Sequence, residues 1–200
     1  MTVAMTETIH GGPEAFLESL REELSPCAHS HHVSFAAVLA ERRMAWAGEN
    51  VDWEPRLGQG ASPRRIMEAV WDHACGRAIA PDRLGEFEAD LSEIAELVDP
   101  DRFAAFDSYR GIWLLELATR CCDPGGGIAA AMKVARNSLY MSAGAGLSED
   151  FVSDHLLRER WNVPKVQAEA RLQIELARRL SATPRIGSDT VEALRRSFVT

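Results

Sequence analysis

The chain has 200 residues, a net charge of −8, 46% hydrophobic and 26% charged side chains, a composition that excludes disordered, collagen-like and low-complexity classes. The acid excess argues against nucleic acid as a partner, because such binders present a basic face that displaces counterions from phosphates. No apolar stretch approaches the roughly 18 residues of a membrane span, and the start, MTVAMTETIHGGPEAF, lacks the basic residues and apolar run of a signal peptide. A cytoplasmic protein without a membrane partner is expected.

Charge is uneven along the chain: residues 1–100 hold 18 acids and 8 bases, residues 101–200 hold 12 acids and 14 bases. Such a split allows a basic partner or self-association through opposed halves, as well as a mixed solvated surface. Cys27, Cys75, Cys121 and Cys122 form no CxxC pair, and all four read as reduced thiols, the adjacent two as small buried hydrophobes.

Gly12-Pro13 opens a first helix, carried by Phe16, Leu17, Leu20 and Leu24 and stopped at Ser25-Pro26. From His32 to about Gly48, the residues Phe35, Val38, Leu39, Arg42 and Trp46 recur on one helical face, so an arginine sits in an apolar seam. Residues 50–61 read as a loop, after which Ser62 caps and Pro63 starts a third helix running to about Gly76. Leu84, Phe87, Leu91, Ile94 and Val98 mark an amphipathic fourth helix, closed by Asp99-Pro100. The segment 103–122 is apolar nearly all round and is the candidate central helix. Pro124 to Gly127 makes a turn into an Ala-rich helix, Ile128 to Ala143. Ser148, Glu149 and Asp150 favour a new helix start. Pro164 predicts a break or kink near Val163 before a helix resumes over 165–180, and Ser188 caps a terminal helix after the linker at Thr183-Pro184 and Gly187. No alternating strand segment and no long repeat is present. The expectation is an all-α fold: a flexible N-terminus over 1–12, then a single domain over 13–200, a bundle of about seven to eight helices around 103–122.

The run from His32 to Arg42, the loop from Gly58 to Ser62, Arg64-Arg65-Ile66 leading to Trp71, the segment ending near Cys122 and the Ala- and Leu-rich C-terminal helices resemble, in order and spacing, the YjaG family of small bacterial proteins. The likeness spans about residues 14–198. It implies an all-helical, cytoplasmic, single-domain protein of unassigned function, and it carries His32, Phe35, Glu41, Arg42, Arg65 and Trp71 onto the family pattern. The chain departs from that pattern in the Cys- and His-rich approach at 27–31, in the Gly-rich turn at 124–127, and at Pro164.

Two constellations could carry chemistry. Cys27, His29, His31 and His32 put four soft or borderline ligands within six residues, side chains that Zn²⁺, Ni²⁺ or Cu²⁺ prefer. No second ligand cluster joins them, so the expectation is an exposed loop with His32 opening the helix, no bound metal and no cofactor. The other constellation is polar groups inside apolar stripes: Glu41 and Arg42, Arg65 and His73, Glu116, and Asn137. Buried charges must find partners, and a cross-helix pair between Arg42 and Glu116 is the economical arrangement. The same groups could instead form a polar pocket that binds or turns over a small molecule, with Glu41, Arg42 or Glu116 as catalytic groups and Arg65, Trp71, His73 and Asn137 as ligand contacts. No GxSxG elbow is present, and Gly125 to Gly127 lacks the lysine of a phosphate loop. The leading expectation is a non-enzymatic binding module acting as a homodimer on a protein or small-molecule partner, and the rival is a small-molecule enzyme.

Overall fold

The computed structural model describes residue 9 and residues 11–48, 62–97, 103–144 and 151–199. The predicted loop at 50–61, Val98, Asp99-Pro100, Ser148 to Asp150 and most of the N-terminal segment lie outside the described residues, as does the side chain of Trp46. Among the described residues there are nine α-helices and no strand: α1 (Gly12–Leu24), α2 (His29–Gly48), α3 (Pro63–Ala74), α4 (Pro81–Leu97), α5 (Phe103–Cys121), α6 (Gly127–Ala143), α7 (Phe151–Glu159), α8 (Pro164–Ser181) and α9 (Ser188–Leu194), followed by a π-helical turn, Arg195–Val199. The fold is all-α, with one or two helices more than the seven to eight expected.

Prolines set the starts. Pro13, Pro63 and Pro164 lie in the first turn of α1, α3 and α8, where the missing N–H is one the helix leaves unpaired anyway. Val163, with φ −65° and ψ 133°, is extended ahead of Pro164, as the ring of a following proline demands, so the pattern breaks into two helices there. The caps are plainer than the sequence suggested. Ser62 stands at the N-cap of α3 but makes no side-chain cap hydrogen bond, and the N-cap of α9 is Gly187 rather than Ser188.

The centre of the bundle is shared. Helix α5 packs on α2, α3, α4 and α6, while α2 packs on α3, α5, α6, α8 and the C-terminal turn. Residues 31–40 of α2 are buried without interruption, so that stretch is a core helix on all sides and not a one-face stripe. Alanines at 36, 37 and 40 on α2 and at 130, 131 and 135 on α6 leave little side-chain bulk between backbones. The Gly-rich turn has a similar reason: a Cβ on Gly126 would stand 2.1 Å from the Arg120 carbonyl oxygen, so only glycine fits there.

The approach at 27–31 differs most from expectation. His29 begins α2, and His31 and His32 are 6% and 8% exposed, not part of an exposed loop. Their rings are apolar enough to pack and still reach backbone carbonyl groups where α1 ends and where α8 gives way to the 183–187 linker.

Candidate functional site

Glu169 on α8 is the most deeply buried charge among the described residues, with its side chain 2% exposed. Its Oε2 accepts from Arg42 Nη1 at 2.5 Å and from Arg43 Nη2 at 3.1 Å. Its Oε1 accepts from the Ser138 hydroxyl at 2.7 Å and from Gln173 Nε2 at 3.1 Å. Arg43 also donates to the Ser142 hydroxyl at 2.6 Å and to the Ser138 carbonyl at 3.2 Å. Burial pushes the Glu169 carboxyl up, but Arg43, Arg42, Ser138 and Gln173 together outweigh it and hold the group below the usual carboxylate range. The network ties α2, α6 and α8 together.

This corrects the expected Arg42–Glu116 pair. Helix α2 does lie against α5, but the Arg42 side chain, 35% exposed, turns to α8. Glu116 instead accepts from Arg120 Nη2 at 2.5 Å, one turn along the rim of α5, and Arg120 reaches on to Glu88 of α4. Glu116 was placed in an apolar helix, and the helix is apolar there, yet its own position is on the outer edge.

Glu41 and Trp71 do meet. The Trp71 indole N–H donates to Glu41 Oε2 at 2.8 Å, and Arg195 Nε donates to the same oxygen at 2.9 Å. Arg195 also reaches Glu68 at 3.0 Å and lies 5.3 Å from the Trp71 ring centroid. Burial works against the charged Arg195, and the two carboxylates outweigh it, raising its basicity further. The C-terminal turn is thereby fastened to α2 and α3.

Three histidines, His31, His32 and His73, are committed to backbone. His31 Nε2–H donates to the Thr183 carbonyl at 2.8 Å and His32 Nε2–H to the Leu24 carbonyl at 2.9 Å. His73 Nδ1 accepts from the Ile79 amide at 3.4 Å, and its ring stands edge-on to His29 at 5.7 Å. Burial lowers the basicity of His32 and His73, and His29 adds repulsion to both. Among the described residues no group of three or more His, Cys, Asp or Glu is arranged to hold a metal ion. All four cysteines are free. Burial pushes the Cys122 thiol up to about 12 and the Cys121 thiol higher still, so neither is a nucleophile near neutral pH.

The remaining candidates separate. Asn137 is 1% exposed and donates back to the Lys133 carbonyl within α6, and Arg65 is exposed on α3. Arg65 lines an open groove of about 780 Å³ between α3, the 77–80 segment and α4, whose charged lining also holds Arg64, Arg77, Arg83, Glu68, Asp72 and Asp90; Glu68 there pairs with Arg195. There Arg77 pairs with Asp72, and Arg83 with Glu86. Arg64 and Arg65 have no carboxylate partner among the described residues.

Sequence reasoning missed Glu169, Gln173, Arg43 and Arg195. The first two had a signal: Val166, Glu169, Ala170, Gln173, Leu176 and Leu180 share one face of α8, the same polar-in-apolar pattern that drew attention to Arg42. Arg195 had none, because it belongs to a short helical end. Compared with known proteins, the chain matches no family model, no curated protein and no solved structure.

Proposed function

We propose that the protein is a non-enzymatic binding module whose recognition surface is the arginine-lined groove between α3 and α4, taking an acidic stretch of a partner protein. The observation that carries this reading is the contrast between the candidate catalytic groups and the groove. Glu41, Arg42 and Glu116 are each engaged in an ion pair, whereas a general acid or base needs a reachable vacancy beside it. Arg64 and Arg65 are solvent-facing guanidinium groups without a counter-ion among the described residues, and such groups recognise carboxylates in bidentate fashion. The lining holds four arginines, no lysine and three carboxylates, two of which, Asp72 and Glu68, are already paired with arginines, and arginine is the cation enriched at protein interfaces.

The same proposal includes a homodimer and a cytoplasmic setting. Val163 is the exposed large hydrophobic side chain among the described residues, so self-association runs through polar faces and weakens with salt. Free thiols at all four cysteines favour a reducing compartment, and no helix among the described residues is long and apolar enough to cross a membrane. A relation to the YjaG family is part of the same proposal and is supported by the order and spacing of residues over about 14–198.

Fluorescence anisotropy with a labelled oligoglutamate peptide tests the groove. Saturable binding at low salt is expected, weakened about fivefold or more when Arg64→Gln and Arg65→Gln are combined. Affinity that ignores both substitutions would remove the groove from the reading. Sedimentation velocity at low and high salt tests the dimer.

A further inference from the structure

A second concavity lies between α1 and α6 and shares no residue with the α3/α4 groove. It has a volume of about 370 Å³ and is lined by Leu17 and Arg21 of α1 and by Ile128, Ala129, Met132, Lys133 and Arg136 of α6. The helical spacing explains the lining. Leu17 and Arg21 are one turn apart on α1, while Ile128, Met132 and Arg136 form one row on α6 with Ala129 and Lys133 beside it. Phe16, Leu20 and Leu24 meanwhile turn into the core, which leaves Leu17 half-buried at the edge as part of a floor.

The electrostatics differ from those of the α3/α4 groove, whose arginines stand among carboxylates. Three cations line the concavity, no carboxylate does, and the protein as a whole carries a net charge of −8. Among the described residues none of Arg21, Lys133 and Arg136 has a carboxylate partner. Other exposed arginines close ion pairs, as Arg77 does with Asp72 and Arg158 with Glu14, while among the described residues Arg64 and Arg65 of the α3/α4 groove do not. The floor of Leu17, Ile128 and Met132 is apolar. An apolar floor with convergent charged groups and a volume inside the roughly 300–1,000 Å³ of small-molecule sites has the ordinary make-up of a ligand pocket.

From this geometry we infer that the α1/α6 concavity binds a small amphipathic anion, a phosphate monoester on a short apolar tail, with Arg21, Lys133 and Arg136 holding the headgroup and Leu17, Ile128 and Met132 the tail. Three positive charges match a doubly charged phosphate better than a single carboxylate. Arginine supplies fork-shaped donors for phosphate oxygens and lysine a mobile point charge. A peptide-sized partner fits poorly in so small a volume.

Isothermal titration of the full chain with octyl phosphate tests the site, with inorganic phosphate, octanol and octanoate as comparison ligands. Saturable one-to-one binding is expected, with each comparison ligand roughly tenfold weaker or more, because each lacks the tail, the charge or the second negative charge. Lys133→Gln combined with Arg136→Gln should weaken octyl phosphate by roughly tenfold or more. Two further variants at exposed positions guard against a folding defect: Arg21→Gln should weaken binding and Ala129→Trp should block it, with circular dichroism unchanged. Absence of saturable binding, inorganic phosphate binding as tightly as octyl phosphate, octanoate binding equally well, or indifference to all these variants would overturn the assignment. Sedimentation with phosphatidic acid vesicles separates the source of the phosphate: vesicle binding that depends on Lys133 and Arg136, with octyl phosphate silent, would overturn a free ligand in favour of a lipid surface. The oligoglutamate binding assigned to Arg64 and Arg65 should be untouched by Lys133→Gln and Arg136→Gln, so the two sites stand or fall separately.

Discussion

Helix α6 has two charged neighbourhoods, and they are built by opposite rules. On the α8 side, Ser138 and Ser142 contribute to a network in which both carboxylate oxygens of Glu169 are filled by Arg42, Arg43, Ser138 and Gln173. On the α1 side, Lys133 and Arg136 face a concavity with no carboxylate in its lining. Burial explains the difference. A charge taken out of water must be paired or it costs several kcal/mol or so, whereas an exposed cation is solvated and remains available. The paired region is architecture and the unpaired one is where an anion can arrive.

The sharpest way to break that contrast is to remove Glu169. Glu169→Ala leaves Arg43, with its side chain 11% exposed, facing a vacancy, and should cost about 3–5 kcal/mol in a urea denaturation, the usual penalty for stranding one partner of a buried pair. A double-mutant cycle with Arg43→Met should give a coupling of about 1–3 kcal/mol, the Arg42 cycle a smaller one because that side chain is 35% exposed, and Arg42 with Glu116 a coupling near zero. The network also has a pH signature. The folded carboxyl of Glu169 is held below its unfolded value of about 4.3, so its stabilisation is present above that pH and is lost as pH falls through the folded value. A loss under about 1 kcal/mol for Glu169→Ala would show that the region is not the strut described here.

The Glu41–Trp71–Arg195 cluster comes next in size and lies between the two extremes, paired but only partly buried. Trp71→Phe removes an indole donor to a carboxylate at 2.8 Å, and hydrogen bonds to charged groups contribute about 1.5–3 kcal/mol. The expected loss falls in that range and should be accompanied by faster amide exchange in the Arg195–Val199 turn. Equal exchange in the two proteins would mean that the turn is held by Val191, Leu194 and Phe198 alone.

Much of this was legible in the residues, and the failures have a common physical cause. Periodicity located the helices because each buries at least one apolar row, and Pro63 and Pro164 gave their starts. The stripe through Arg42 points a charge inward without showing which carboxylate meets it, since spacing fixes a face but not the neighbour across it, and Arg42 stands at the core's edge, 35% exposed. Glu116 was chosen because its helix is apolar, but a residue on such a helix can still stand at the rim. The Cys27 to His32 cluster reads in sequence as an exposed loop, but His31 and His32 are buried. In space His31 and His32 turn to different carbonyls, those of Thr183 and Leu24.

Those histidines supply a smaller, pH-dependent effect. His32 and His73 have folded values below the unfolded value of about 6.5, lowered first by burial and then by His29, with His31 also repelling His32. The unfolded chain therefore binds protons that the folded chain resists. Stability is fully present above about pH 6.5 and declines as pH falls below it toward the folded values. Urea midpoints measured from pH 8 to pH 5 should drop through that window, well above the range in which Glu169 titrates. His73→Gln should flatten the decline; an unchanged slope would place the titration elsewhere.

The smallest effect expected is at the rim pair of Arg120 and Glu116. Arg120 is 49% exposed and reaches both Glu116, 20% exposed, and Glu88, 48% exposed. Its Coulomb gain is spent in water and offset by the entropy of fixing long side chains, so Arg120→Ala should cost well under about 1 kcal/mol. The loss should also shrink as salt rises toward about 1 M, where the screening length falls to roughly 3 Å. Set beside Glu169→Ala, which salt should barely change, this measures what burial does to an ion pair within one helical bundle. If Arg120→Ala instead costs as much as Glu169→Ala and ignores salt, Glu116 is desolvated after all, and the division between a paired interior and an available surface does not hold for α5.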